Sequence, residues 1–306
     1  MKFTAAISGT ILIPLTFVAV AGQSDFAKHD ASLQRIVDDA VAATLGQFSS
    51  NKLQTNHFAL TLVDLREPQS IRRAGFRNTA PIYPASVVKL FYLAAAHQWM
   101  ENGQLKDTAE LRRALRDMIV DSSNDATHYV LDALTDTTSG PELAENEMKL
   151  WSDKRNAVNR YFASLGYTNI NCNQKPWNDG PYGRDRIWVG KDYGNRNALT
   201  TDATARLLTA IAQRQFVSAR RCDEMLELLK RDPANKKDDQ ARFTFSELPS
   251  GGKLFSKAGW TSTTRHDATY VELPNGKKFV LVIFTMNHAS EQEIIPFVAA
   301  QILPRL

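Results

Sequence analysis

Residues 84–103 run Pro84-Ala85-Ser86-Val87-Val88-Lys89-Leu90-Phe91-Tyr92-Leu93-Ala94-Ala95-Ala96-His97-Gln98-Trp99-Met100-Glu101-Asn102-Gly103. A proline just before an apolar, Leu-, Ala- and Phe-rich run, closed by Asn-Gly, predicts a helix over 86–100. Positions i and i+3 share a helix face, so Lys89 comes beside the Ser86 hydroxyl. A helix N-terminus favours negative charge and depresses the pKa of a nearby amine. Serine is a weak nucleophile at neutral pH unless a base adjoins it. The pattern therefore offers Ser86 as nucleophile and Lys89 as its base. The plainer alternative makes Ser86 an N-cap and Lys89 a solvated side chain. Ser49-Ser50-Asn51-Lys52 and Ser250-Gly251-Gly252-Lys253 repeat the spacing in a polar loop and a turn, where that plainer reading holds. Only the Ser86 copy opens a long apolar helix that can starve its amine of water.

Working outward, apolar spacing predicts a helix over 32–48, and alternation predicts a strand over 57–66 with a hairpin partner over 70–78. Downstream, helices are predicted over 108–117, 124–134 and 152–165. An irregular stretch over 167–198 follows, and a loop of that length is usually functional. Further helices are expected over 201–213 and from Ser218 to the residue before Pro233. Short strands rich in Val, Phe and Tyr then fall at 253–257, 267–273 and 278–285. The last two are joined by Pro274-Asn275-Gly276, a strong hairpin signal. A helix over 291–302 closes the chain. The terminal thirds can build one antiparallel sheet flanked by helices, and the middle an all-α subdomain. The expected class is α/β, with one catalytic domain over 32–306. Its α/β part covers about 32–82 and 215–306, and its helical part about 83–214.

Two further clusters carry chemistry. Ser122-Ser123-Asn124 precedes a predicted helix: it can cap that helix, or supply a proton-relaying hydroxyl at Ser122 and a substrate-holding amide at Asn124. Lys257-Ala258-Gly259 ends a predicted strand. Gly259 permits close backbone approach, and the Lys257 cation could hold a substrate carboxylate and acidify Ser122. The alternative is a surface lysine.

In order and context, Ser86-x-x-Lys89, Ser122-x-Asn124 and Lys257-Ala258-Gly259 resemble the signature of class A serine β-lactamases and the related penicillin-binding D-alanyl-D-alanine peptidases. The resemblance spans nearly all of the chain after its first residues. It implies Ser86 as nucleophile, Lys89 as base, Ser122 as proton shuttle, and Asn124 and Lys257 as substrate contacts. It also implies an oxyanion hole from the Ser86 N–H and one just after Gly259, placed at Thr261. Departures accompany it. Ala258 stands where that family has a hydroxyl residue, so Thr261 or Ser262 is the expected carboxylate donor. Arg265 or His266 is the expected cation on the next strand, with a surface ion pair to Asp267 as the alternative. The family's loop glutamate, which activates water against the acyl-enzyme, has no counterpart: no glutamate lies between Met148 and Arg221. Asp179 and Asp185 are the available carboxylates, each equally suited to a structural role.

The 306-residue chain, 43% hydrophobic and 23% charged, is ordinary for a globular protein. Its net charge of +4 is mild, and no basic run is interleaved with aromatics, which argues against nucleic acid. Arg112-Arg113 and Arg220-Arg221 read as solvated helix faces. Lys2, an apolar run with Gly9 and Pro14 in it, and Ala19-Val20-Ala21 read as a secretory signal over 1–21. This predicts an exported, periplasmic or extracellular protein with no stable membrane span after cleavage. Cys172 and Cys222 could pair in such a compartment or remain two buried thiols. No metal site or cofactor motif is present; the histidines are scattered, and there is no Gly-x-Ser-x-Gly, His-Glu-x-x-His or phosphate loop. The expected function is hydrolysis of an amide such as a β-lactam through an acyl-Ser86 intermediate, on a small-molecule or peptidoglycan-peptide substrate. The alternatives are a peptidase- or esterase-like acyl-transfer enzyme with slow β-lactam turnover, and an inactive binding module on the same fold.

Overall fold

A computed structural model describes residues 26–306; the predicted signal over 1–21 lies outside the described residues. The chain begins with strand β1 (Lys28–His29) and helix α1 (Ala31–Gln47). Asp30 caps α1, its carboxylate accepting from the Ser32 and Leu33 N–H groups. Strands β2 (Phe58–Asp64) and β3 (Arg72–Phe76) form the expected hairpin. A 3-10 turn (Ala85–Val88) leads into α2 (Lys89–Glu101), followed by α3 (Ala109–Ile119), α4 (Asn124–Thr135), α5 (Glu145–Arg155), α6 (Ala157–Ser164) and α7 (Gly183–Val189). Helices α8 (Thr201–Ala212) and α9 (Ala219–Leu229) precede β4 (Lys230–Arg231), β5 (Lys253–Trp260), β6 (Thr264–Glu272) and β7 (Lys278–Met286). Helix α10 (Ile294–Ile302) comes last.

The strands make one sheet in the order β1-β3-β2-β7-β6-β5-β4, antiparallel except for β1 on β3. The predicted turn at Pro274-Asn275-Gly276 joins β6 to β7, with Gly276 at φ 83°. Period-two alternation sends the two sides of each strand to different cores. Leu254, Val271, Phe279, Leu281 and Ile283 pack with α1 and α10. Phe255, Ala268, Tyr270, Val280, Val282 and Phe284 face the α2, α8 and α9 side. Covering both faces explains why every residue of β2 is buried. The fold is the α/β sheet-and-helix arrangement expected.

Several details differ from the sequence reading. The predicted helix over 152–165 is two helices that meet at Asn156 (φ −85°, ψ 7°). The irregular stretch holds α7. Helix α8, grouped with the helical part by position, packs on β2, β6 and β7. The two-residue edge strands β1 and β4 carry no sequence signal. Residues 232–252 contain neither helix nor strand. Arg220-Arg221 divides: Arg220 is exposed, whereas Arg221 is buried and pairs with Glu101, Asp107 and Glu224. Cys172 and Cys222 are both buried free thiols. Among the described residues no helix is long and apolar enough to cross a membrane, and no group of His, Cys, Asp or Glu is arranged to hold a metal.

Candidate active site

The apolar helix predicted from 86 starts as a single 3-10 turn, so Ser86 sits half-buried on a tight bend and Lys89 opens α2. Ala85, just before the serine, has φ 46°, a left-handed conformation that costs a residue with a Cβ of order 1–3 kcal/mol. Ser122 is left-handed too, at φ 54°. Two non-glycine residues in the left-handed region thus adjoin the candidate serines, Ala85 before Ser86 and Ser122 itself. The bend is held from the sheet by His266, whose Nε2–H donates to Tyr83 O (2.9 Å) while its Nδ1 accepts from the Thr285 N–H (3.0 Å). Burial pushes the His266 pKa down to about 4. It is a neutral prop for the Ser86 turn and not the second cation expected at that place.

Lys89 is fully buried among apolar neighbours of α2. Its Nζ donates to Ser122 O (2.5 Å), Asn124 Oδ1 (2.8 Å) and, more weakly, Ser122 Oγ (3.3 Å). All three acceptors are neutral, so nothing offsets the loss of water, and burial lowers the amine to about 7. Lys257, on the helix-facing side of β5 with Phe255, also reaches Ser122 Oγ, at 3.1 Å. It is also fully buried, and desolvation together with the Lys89 charge drives its pKa well down. The sequence-predicted Lys89, Ser122, Asn124 and Lys257 therefore converge, with Ser122 Oγ shared by two amines, and Ser86 lies one turn before Lys89 on the bend that meets Gly259. The copies at Ser49 and Ser250 lie on the exposed surface; Lys253 pairs with Glu272.

Gly259 carries the closest approach. A Cβ there would lie 2.7 Å from Pro84 O and 2.8 Å from the Ser86 and Val87 nitrogens. The Thr261 N–H donates to Thr264 O inside the β5–β6 hairpin (2.9 Å), so it is unavailable for an oxyanion. That bond makes Thr261–Thr264 a hydrogen-bonded pair and the next pair, Trp260–Arg265, a non-hydrogen-bonded one. The Trp260 N–H consequently points away from β6, to the outer edge of β5 beside the Ser86 turn. The N–H turned toward the Ser86 turn is thus that of Trp260 and not that of Thr261. Two buried cations occupy other groups of this edge: Arg231 Nε donates to Ser256 O (3.3 Å) and Lys257 Nζ to Ala258 O (2.7 Å).

Arg265 is not brought to Lys257. The strand register puts it on the α10 side of the sheet, with its guanidinium 3.5 Å from the centre of the Phe243 ring. Asp267, offered as its surface partner, is buried and accepts instead from Ser256 and Thr244. The Thr261 hydroxyl is engaged with Thr263 and Thr264.

The loop over 173–185 closes the site above Asn124. Asn124 Nδ2 donates to Asn178 Oδ1 (2.8 Å), and His128 meets Pro176 O (2.6 Å). Beneath it, buried Arg155 faces Asp132 (3.0 Å) and Asp185 (3.3 Å), and Lys175 donates to Asp132 (2.6 Å). Asp185 is thereby a loop anchor. Asp179 is exposed. The loop side chain nearest the lysines through Asn124 is a neutral amide.

Residues 40–304 match the model of the β-lactamase enzyme family. The chain belongs to that family. No curated protein matches it by sequence. Among solved structures, this β-lactamase-family chain is similar to the β-lactamase of Sphaerobacter thermophilus DSM 20745, with 19% identity, TM-score 0.62 and coverage of 88% of this chain and 96% of that one. It is similar to PBP-A at 17% identity and TM-score 0.61, over 92% and 98% of the two chains. A class A β-lactamase from Bacteroides cellulosilyticus DSM 14838 aligns at 15% identity and TM-score 0.62, over 90% and 99%. At such identities these likenesses speak for the fold.

Besides Trp260, sequence reasoning missed Gln240 and Asn178 at this β-lactamase-family site. Gln240 Oε1 accepts from Lys257 Nζ at 2.5 Å, yet it lies in the polar run Asp238-Asp239-Gln240 with no periodicity to mark it. Asn178 sits in a loop whose carboxylates drew attention instead.

Proposed function

We propose that this chain is an exported serine hydrolase of β-lactamase type, acylated at Ser86 and slow to release its acyl group. The observation that carries the reading is Lys89: a buried lysine with only neutral acceptors and a pKa of about 7, opening the helix one turn after Ser86. Half of such amines are neutral at pH 7 and can take a proton from Ser86. Ser122 Oγ passes that proton to the leaving atom, a role its contacts with both lysines support. The Ser86 and Trp260 N–H groups are the oxyanion donors. An inactive binding module gains nothing from two buried lysines, each of which costs stability.

Slow release is supported by the loop. Asn178, which holds Asn124, cannot accept a proton from water as a carboxylate would, and Asp185 is bound to Arg155. That favours the peptidase- or esterase-like alternative over rapid β-lactam turnover. The test is intact-mass analysis of the purified protein with benzylpenicillin and with a chromogenic cephalosporin. A long-lived adduct mapped to Ser86, absent in Ser86→Ala, is expected. Fast steady turnover restores the β-lactamase reading, and no adduct with either compound or with benzylpenicillin methyl ester defeats both.

A further inference from the structure

Lys257 has no free contact left for a substrate. Its Nζ already meets three partners: Ser122 Oγ (3.1 Å), Ala258 O (2.7 Å) and Gln240 Oε1 (2.5 Å). The first two are part of the site and its strand; the third comes from the irregular segment 232–252. Gln240 is buried and cannot swing away, because its Nε2 donates to both Ile119 O (3.2 Å) and Val120 O (2.8 Å). These carbonyls end α3, just before Ser122. An amide oxygen and a carboxylate oxygen are acceptors of similar size, but only the second brings a charge.

The other groups that would address an anion on the leaving side are also withdrawn. Position 258 is alanine, the Thr261 hydroxyl is spent within its hairpin, and Arg265 lies across the sheet on Phe243. Outside Gln240 is a groove of about 340 Å³. Its charged walls are Asp121, Asp238, Asp239 and Lys237; Asp121 pairs with Arg116 and Asp238 with Arg231, so Asp239 balances Lys237 and no net positive charge remains to draw an anion. Its apolar wall is Trp260, 43% exposed and packed on Phe243 at 5.4 Å.

We propose that Gln240 fills the place of a substrate carboxylate on Lys257, so that this site takes acyl donors with an uncharged leaving group, an ester or a neutral amide. The proposal rests on acylation at Ser86. In that step Ser86 Oγ bonds to the acyl carbon and the bond to the leaving oxygen or nitrogen breaks. The serine proton passes to Lys89, and a proton reaches the leaving atom through Ser122. Water later cleaves the acyl ester and restores Ser86.

Benzylpenicillin and its methyl ester share ring and acyl group and differ only in the carboxylate. Their second-order rates of adduct formation on Ser86, by intact mass and peptide mapping, test the proposal in the wild-type protein. The methyl ester is expected to react at least tenfold faster. Gln240→Ala is expected to raise the ratio of the acid rate to the ester rate tenfold or more. An acid that reacts as fast as the ester, or an acid-to-ester ratio that Gln240→Ala does not move in a variant with a cooperative melt, overturns the proposal while leaving acylation intact. No adduct from either compound overturns the acylation reading and this one with it. The wild-type comparison stands whether or not the variant folds.

Discussion

At the scale of single residues, Lys89 sets the pH behaviour. Its folded pKa, about 7, lies below the 10.5 of a free lysine because burial penalises its charge. Acylation that depends on the neutral amine should rise with pH along a limb of apparent pKa near 7, read as the rate of adduct formation from pH 5 to 9. The same shift acts on stability. Between the folded and unfolded pKa values the unfolded chain binds more protons, so stability grows as pH rises through that window. From pH 7 to 9 the gain from Lys89 is about 2 kcal/mol. Chemical denaturation at both pH values should find it in the wild type and not in Lys89→Met. Equal pH dependence in the two would refute the assignment. The residues that sequence made legible here are those whose type announces chemistry: a serine and two lysines in ordered motifs. Gln240 and Asn178 were illegible because amides in polar segments resemble any solvated surface, and only tertiary contact gives them partners. Thr261 failed for a related reason: which N–H is free depends on hairpin register, fixed by a turn that spacing alone does not reveal.

At the scale of elements, the site depends on how closely β5 meets the Ser86 turn. Gly259 allows that contact, since a Cβ would fall within 2.8 Å of two backbone nitrogens that cannot retreat without moving the serine. Gly259→Ala should cost about 1–3 kcal/mol of stability as an overpacked contact. Displacing the Ser86 turn by about 1 Å should lower the acylation rate on the order of a hundredfold. Denaturant titration and the Ser86 adduct rate measure the two separately; a variant with wild-type acylation would show that the contact is not needed. Long periodic segments such as α2 and hairpins with a strong turn were readable in advance. The break at Asn156 was not, because residues on either side of it share one helical pattern, and packing alone decides where the axis turns.

At the scale of the whole molecule, sheet and helices contribute different halves of one site: Lys257 and Gly259 come from β5, while Ser86, Lys89, Ser122 and Asn124 come from the helical side. The order of elements made this plan legible, since strands at both ends of a chain must meet to bury their faces. The two-residue strand β4 pairs with only the start of β5, yet residues 254–259 of that strand are buried, so the rest of its edge is closed from within the molecule. Arg231 donates to Ser256 O and Lys257 to Ala258 O, so two side chains stand in for a neighbouring strand. Arg231→Met takes the donor from Ser256 O and the partner from Asp238, and should lower the free energy of unfolding by about 1–3 kcal/mol in a denaturant titration. A variant as stable as its parent would show that the edge is closed by other groups.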